Sequence, residues 1–86
     1  MTALEFFKRV KDKNYSISVY NEIFYFRSKI EMFDVKVKGY LYVFLENHVS
    51  FTVESDVPIT EYDYAYYIKG LKVRVQDDLG GTRNDL

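Results

Sequence analysis

The stretch TALEFFKRVKDKNYSISV, residues 2–19, changes its hydrophobic period halfway along, and that change decides the fold class. Up to Val10 the apolar residues Ala3, Phe6, Phe7 and Val10 recur at three- and four-residue spacing, which gathers them on one side of a helix. Thr2 and Glu5 stand in the Thr-x-x-Glu relation of a capping box, so the helix starts there. Lys11 and Lys13 match the negative end of its dipole, and Asn14 can end it. From Tyr15 onward Tyr15, Ile17 and Val19 alternate with Ser16 and Ser18, the pattern of a strand with one wet face. A helix that feeds directly into alternating strands predicts an α+β domain.

Later segments extend the sheet. Asn21-Glu22 suits a turn into a second strand. Ile30 and Met32 then fall on even positions but Phe33, Val35 and Val37 on odd ones, so a bulge or strand boundary is expected near Met32-Phe33. Beyond Gly39, Tyr40 to Leu45 is apolar at every position, which predicts a central strand covered on both faces. Glu46-Asn47-His48 reads as a turn, with His48 solvated, and Val49, Phe51 and Val53 alternate cleanly with polar residues. Ser55-Asp56-Val57-Pro58 is a loop. Thr60 and Asp63 then resemble a capping pair, Ile59 and Tyr64 a hydrophobic staple, and Gly70 a helix C′ residue, which together predict a short second helix. The Tyr-rich composition also admits a hairpin turning at Lys69-Gly70. Leu71, Val73 and Val75 form a last strand. The expected architecture is a single antiparallel sheet of four to five strands with an N-terminal and a short second helix, a domain over residues 1–76 and a flexible tail over 77–86.

At 86 residues, 48% hydrophobic and 29% charged, the chain has the size of one domain. It has no Cys, which excludes disulfide staples and thiolate metal sites and suits a reducing cytoplasm. No signal peptide or membrane span is read, so no membrane partner is expected. Neither a phosphate-binding glycine motif nor a His pair is present, and no nucleophile stands with its base. No catalytic residue, cofactor or metal is therefore expected.

Charge and aromatic content carry the functional reading. The net charge is -1, which argues against direct nucleic-acid binding, although Lys8, Arg9, Lys11, Lys13 and Tyr15 form a local basic cluster. Residues 1–45 hold eight Lys and Arg against five Asp and Glu, whereas residues 46–86 hold four against eight. Between Glu54 and Tyr67 lie four carboxylates, no cation and four Tyr. Carboxylates set among Tyr rings suit a basic protein surface, the charges facing Arg or Lys and the rings supplying buried area. Glu54, Asp56, Glu61, Tyr62, Asp63, Tyr64 and Tyr66 are accordingly the candidate partner-binding residues. Nine Tyr and seven Phe exceed what so small a core can enclose, so a homodimer through exposed rings is the alternative.

Leu4, Val10, Lys11, Lys13, Tyr15, Ser16 and Ile17, in the frame Leu-x5-Val-Lys-x-Lys-x-Tyr-Ser-Ile, resemble the opening of small phage-encoded anti-CRISPR proteins that inhibit type II-A Cas9. The resemblance implies a helix leading into an antiparallel sheet, and an inhibitor acting in the host cytoplasm. It also implies a partner such as Cas9 or another nucleic-acid-binding host protein, met with carboxylates in place of DNA phosphates. The matched segment covers about a fifth of the chain and assigns no contact residue.

Overall fold

The capping box forms as the sequence requires. In the computed structural model, which describes residues 1–20, 25–35 and 39–86, Thr2 Oγ1 accepts from the Glu5 amide at 3.3 Å and Glu5 Oε1 accepts from the Thr2 amide at 3.2 Å. Helix α1 runs over Ala3–Asp12 and buries Ala3, Phe6, Phe7 and Val10. Its first free amides do not end in solvent: Ala3 donates to the Val57 carbonyl at 2.8 Å and Leu4 to that of Ser55 at 3.0 Å.

Seven strands follow: β1 (Ser16–Tyr20), β2 (Tyr25–Val35), β3 (Tyr40–Leu45), β4 (Ser50–Glu54), β5 (Thr60–Tyr62), β6 (Ala65–Ile68) and β7 (Leu71–Gln76). They form one antiparallel sheet in the order β4-β3-β2-β1-β7-β6-β5. Two meanders, β1 to β4 and β5 to β7, thus meet at the β1–β7 seam. The α+β class and single antiparallel sheet hold, with seven strands rather than four to five. No helix among the described residues is long and apolar enough to cross a membrane. The expected Asn21-Glu22 turn, and Val37, lie outside the described residues.

The extra strands come from the segment read as a second helix. Residues 60–68 form a hairpin, because Asp63 and Tyr64 both take positive φ, 53° and 61°, and close a two-residue turn of the primed type. Lys69 and Gly70, at φ 41° and 85°, repeat the device between β6 and β7, where the sequence admitted a turn. Gly70 carries the larger angle without the steric cost of a Cβ.

β2 slips register between Ile30 and Met32, the bulge expected slightly later in the chain. This bent strand pairs with β1 before the slip and with β3 after it. β3 departs from expectation. It lies second from an edge, and Tyr40 and Tyr42 turn outward while Leu41, Val43 and Leu45 are buried. Its apolar run therefore has one covered face, since a Tyr hydroxyl tolerates water as Leu or Val does not.

The two edge strands, β4 and β5, are consecutive in the chain and joined only by residues 55–59. A flat seven-stranded sheet would set its edges about 29 Å apart, whereas the extended chain from Glu54 to Thr60 reaches about 20 Å. The sheet must curl, with β4 brought round toward β5 and β6, and α1 fills the concave side. Phe7 meets Phe51 of β4 at 5.7 Å between ring centroids, and Phe6 meets Tyr66 of β6 at 4.7 Å. The N-terminus is tied to the closing loop, Ile59 donating to the Met1 carbonyl at 2.9 Å and Thr2 bridging Pro58.

Residues 77–86 make bonds back to the sheet. Asp77 accepts from the amides of Gly81 at 2.8 Å and Leu79 at 3.0 Å and from Arg83 Nε at 3.0 Å. These bonds, that of Gly81 foremost, hold its carboxyl below the usual Asp range. The Arg83 amide then reaches the Val75 carbonyl at 2.7 Å, and Leu86 packs against the core.

Candidate functional site

The acidic, Tyr-rich segment divides into two places and one buried residue. Glu54, at the end of β4, bonds to Lys69 of the β6–β7 turn at 2.6 Å. That bond and charge raise the Lys69 ammonium above the ordinary lysine value, with a smaller contribution from exposed Asp56. Glu54 thus has a cation fifteen residues along the chain, which the local sequence concealed. The pair stands where β4 faces the β6–β7 turn. On one side of it is a cleft of 410 Å³ lined by Tyr40, Val53, Ile68 and Leu71, and on the other a recess lined by Asp56, Pro58, Thr60 and Tyr67.

Glu61, Tyr62, Asp63 and Tyr64 occupy the β5–β6 hairpin at the sheet edge. All four are exposed, Tyr62 by 71% and Tyr64 by 65%. Neither Glu61 nor Asp63 has an ion pair among the described residues. Positive φ at a residue as bulky as Tyr64 costs about 1–3 kcal/mol, a strain found most often at functional positions. The tip presents Tyr62, Asp63 and Tyr64 to solvent, while Glu61, paired with the inward Tyr66, is exposed at the sheet edge.

Tyr66 is a correction. It is 1% exposed and stacks on Phe6, because strand alternation turns it and Ile68 inward. It cannot meet a partner while the domain is folded. Burial pushes its hydroxyl above the ordinary phenol value, opposed by the Leu86 backbone and aided by the charges of Glu61 and Asp85.

Elsewhere, His48 is exposed in the β3–β4 turn at φ 69°. Among the described residues no group of three His, Asp or Glu is placed to hold a metal ion. The basic residues of α1 remain exposed, with Arg9 4.0 Å from Glu5 and Lys13 above the Tyr15 ring at 5.8 Å. A second feature escaped the sequence: β3 shows Tyr40 and Tyr42 outward on the face that also carries Met32 of β2, opposite Phe44, and Tyr40, Tyr42 and Met32 are 44%, 37% and 49% exposed. No protein-family model, curated protein or solved structure matches the chain.

Proposed function

We propose that this protein is a non-enzymatic binding protein that docks on a basic surface of another protein through the β5–β6 hairpin. The observation that carries the reading is the hairpin tip, where exposed Tyr62 and Tyr64 alternate with Glu61 and Asp63 on a strained two-residue turn. Rings of this kind supply buried area at low entropic cost, while free carboxylates steer the encounter and pair with Arg or Lys. A protein surface built to hold phosphates is such a partner. An inhibitor of a nucleic-acid-processing host protein, of the anti-CRISPR kind that the opening segment resembles, is the function this supports best.

Glu61→Lys with Asp63→Lys should leave the fold intact, since exposed charge changes shift stability by only tenths of a kcal/mol. The same pair should slow association with the partner at least about tenfold at low salt, because steering follows the summed field. The direct assay is DNA cleavage by a type II-A Cas9–guide complex, alongside capture of bacterial nucleic-acid-binding proteins on the immobilised chain. Capture that proceeds equally well with the reversed hairpin, or with Tyr62→Ala and Tyr64→Ala, overturns the reading.

The outward patch of Met32, Tyr40 and Tyr42 favours a second reading, a homodimer through the β2–β3 face. Association stabilises only the folded form, so the melting temperature of a dimer should rise with protein concentration. A melt unchanged over a hundredfold range excludes it.

A further inference from the structure

The register of the central strands assembles a basic, aromatic surface on the convex face. Ser18 of β1 pairs with Arg27 of β2 on one side and Arg74 of β7 on the other. Tyr20 likewise lies between Tyr25 and Lys72, and Lys72 in turn pairs with Tyr67 of β6. Ser16 pairs with Lys29 and Gln76. Paired residues project from the same face, and the alternate set, Ile17, Val19, Val73 and Val75, is buried in the core. The convex face thus carries one row of Tyr25, Tyr20, Lys72 and Tyr67 beside a second row of Arg27, Ser18 and Arg74.

We infer that this face binds single-stranded nucleic acid, with the rings as a stacking platform and the cations on the phosphates. Four cations, Arg27, Lys29, Lys72 and Arg74, come from two strands on either side of β1, and no carboxylate lies among the strand positions of the two rows. Lys29 pairs with Asp78 at the margin, at 3.0 Å, while Arg27 and Arg74 have no carboxylate partner among the described residues. Arg27 is exposed and donates its Nε to the Ser16 hydroxyl at 3.3 Å. An exposed guanidinium with a single neutral partner at Nε suits an anion with several oxygens.

The rings select the kind of polyanion. Tyr25 is 61% exposed and lies 4.9 Å from Tyr20, whose other neighbour, the Lys72 ammonium, stands 5.6 Å from its ring. An exposed Tyr face stacks unpaired bases, which a duplex keeps to itself, and a broad sheet surface does not enter a groove. The net charge of -1 is no obstacle, because the carboxylates of the β5–β6 hairpin and the Glu54–Asp56 region lie outside these rows. The inference is independent of the hairpin reading, since the tip residues Glu61, Tyr62, Asp63 and Tyr64 lie outside these rows.

The test is fluorescence anisotropy of a labelled 15-nucleotide oligo-dT, a labelled oligo-U and a duplex of the same length, titrated with the intact protein at 50 mM and 200 mM salt. Saturable binding of at least one single strand, tighter than the duplex and weaker at the higher salt, is expected. Tyr25→Ala should weaken it about five- to a hundredfold through lost stacking. Arg27→Glu should weaken it and flatten the salt dependence; both positions are exposed, so folding, followed by circular dichroism, should persist. Glu61→Lys with Asp63→Lys should not weaken it, which separates this surface from the hairpin. No saturable binding at 50 mM salt, or equal duplex affinity unmoved by Tyr25→Ala, overturns the inference.

Discussion

Phe6→Ala should lower the free energy of unfolding by about 3–5 kcal/mol, the cost of deleting a fully buried ring and leaving a cavity. Phe6 is 0% exposed and touches both Phe7 and Tyr66, so the void would open between α1 and β6 and could not close by moving one side chain. A chain of this size has a total stability of about 4–13 kcal/mol, so the loss is a large share of it. Thr2→Ala removes only the cap and should cost about 0.5–2 kcal/mol. Urea melts of the two variants separate these sizes. Equal and small losses would mean that α1 does not dock in the curled sheet.

Val73→Asp should be more damaging still. Val73 is fully buried and pairs with Val19 on one side and Tyr66 on the other, on the strand through which the second meander joins the first. An unpaired carboxylate there costs several kcal/mol, comparable with the whole stability of the domain. The variant should lack cooperative thermal unfolding at neutral pH. Burial raises the pKa of the introduced carboxyl, so part of the structure should return as the pH falls toward it. A cooperative melt near the wild-type temperature at pH 7 would show that the β1–β7 seam is not in the core.

The helix and five of the strands were legible because their signals are local, β3 from its apolar run Tyr40–Leu45. A capping box and a one-sided apolar stripe identify α1, and strict alternation marks β1, β4 and β7; the slip in β2 betrayed its bulge. Residues 60–69 misled because β5 and β6 are too short to display a period. Tyr64, Ala65, Tyr67 and Ile68 fall at helical offsets, yet Tyr64 is a turn residue and Tyr66 the inward one. The same ambiguity placed Tyr66 among the contacts. Glu54 looked uncompensated because Lys69 reaches it only through the fold. The convex face was invisible for a related reason: Arg27 and Arg74 become neighbours of one serine only when strand register is known.

That register also sets the order of folding events. Ser16 pairs with Lys29 across a short span of chain but with Gln76 across sixty residues. Each meander is built from neighbouring strands, whereas the β1–β7 seam closes the largest loop of any strand pairing among the described residues before its contacts return any free energy. The meeting of the two half-sheets is therefore the step expected to be slowest. Until they meet, β1 and β7 each present an open edge, and it is during this interval, not in the finished molecule, that the chain is most exposed to pairing with another copy of itself.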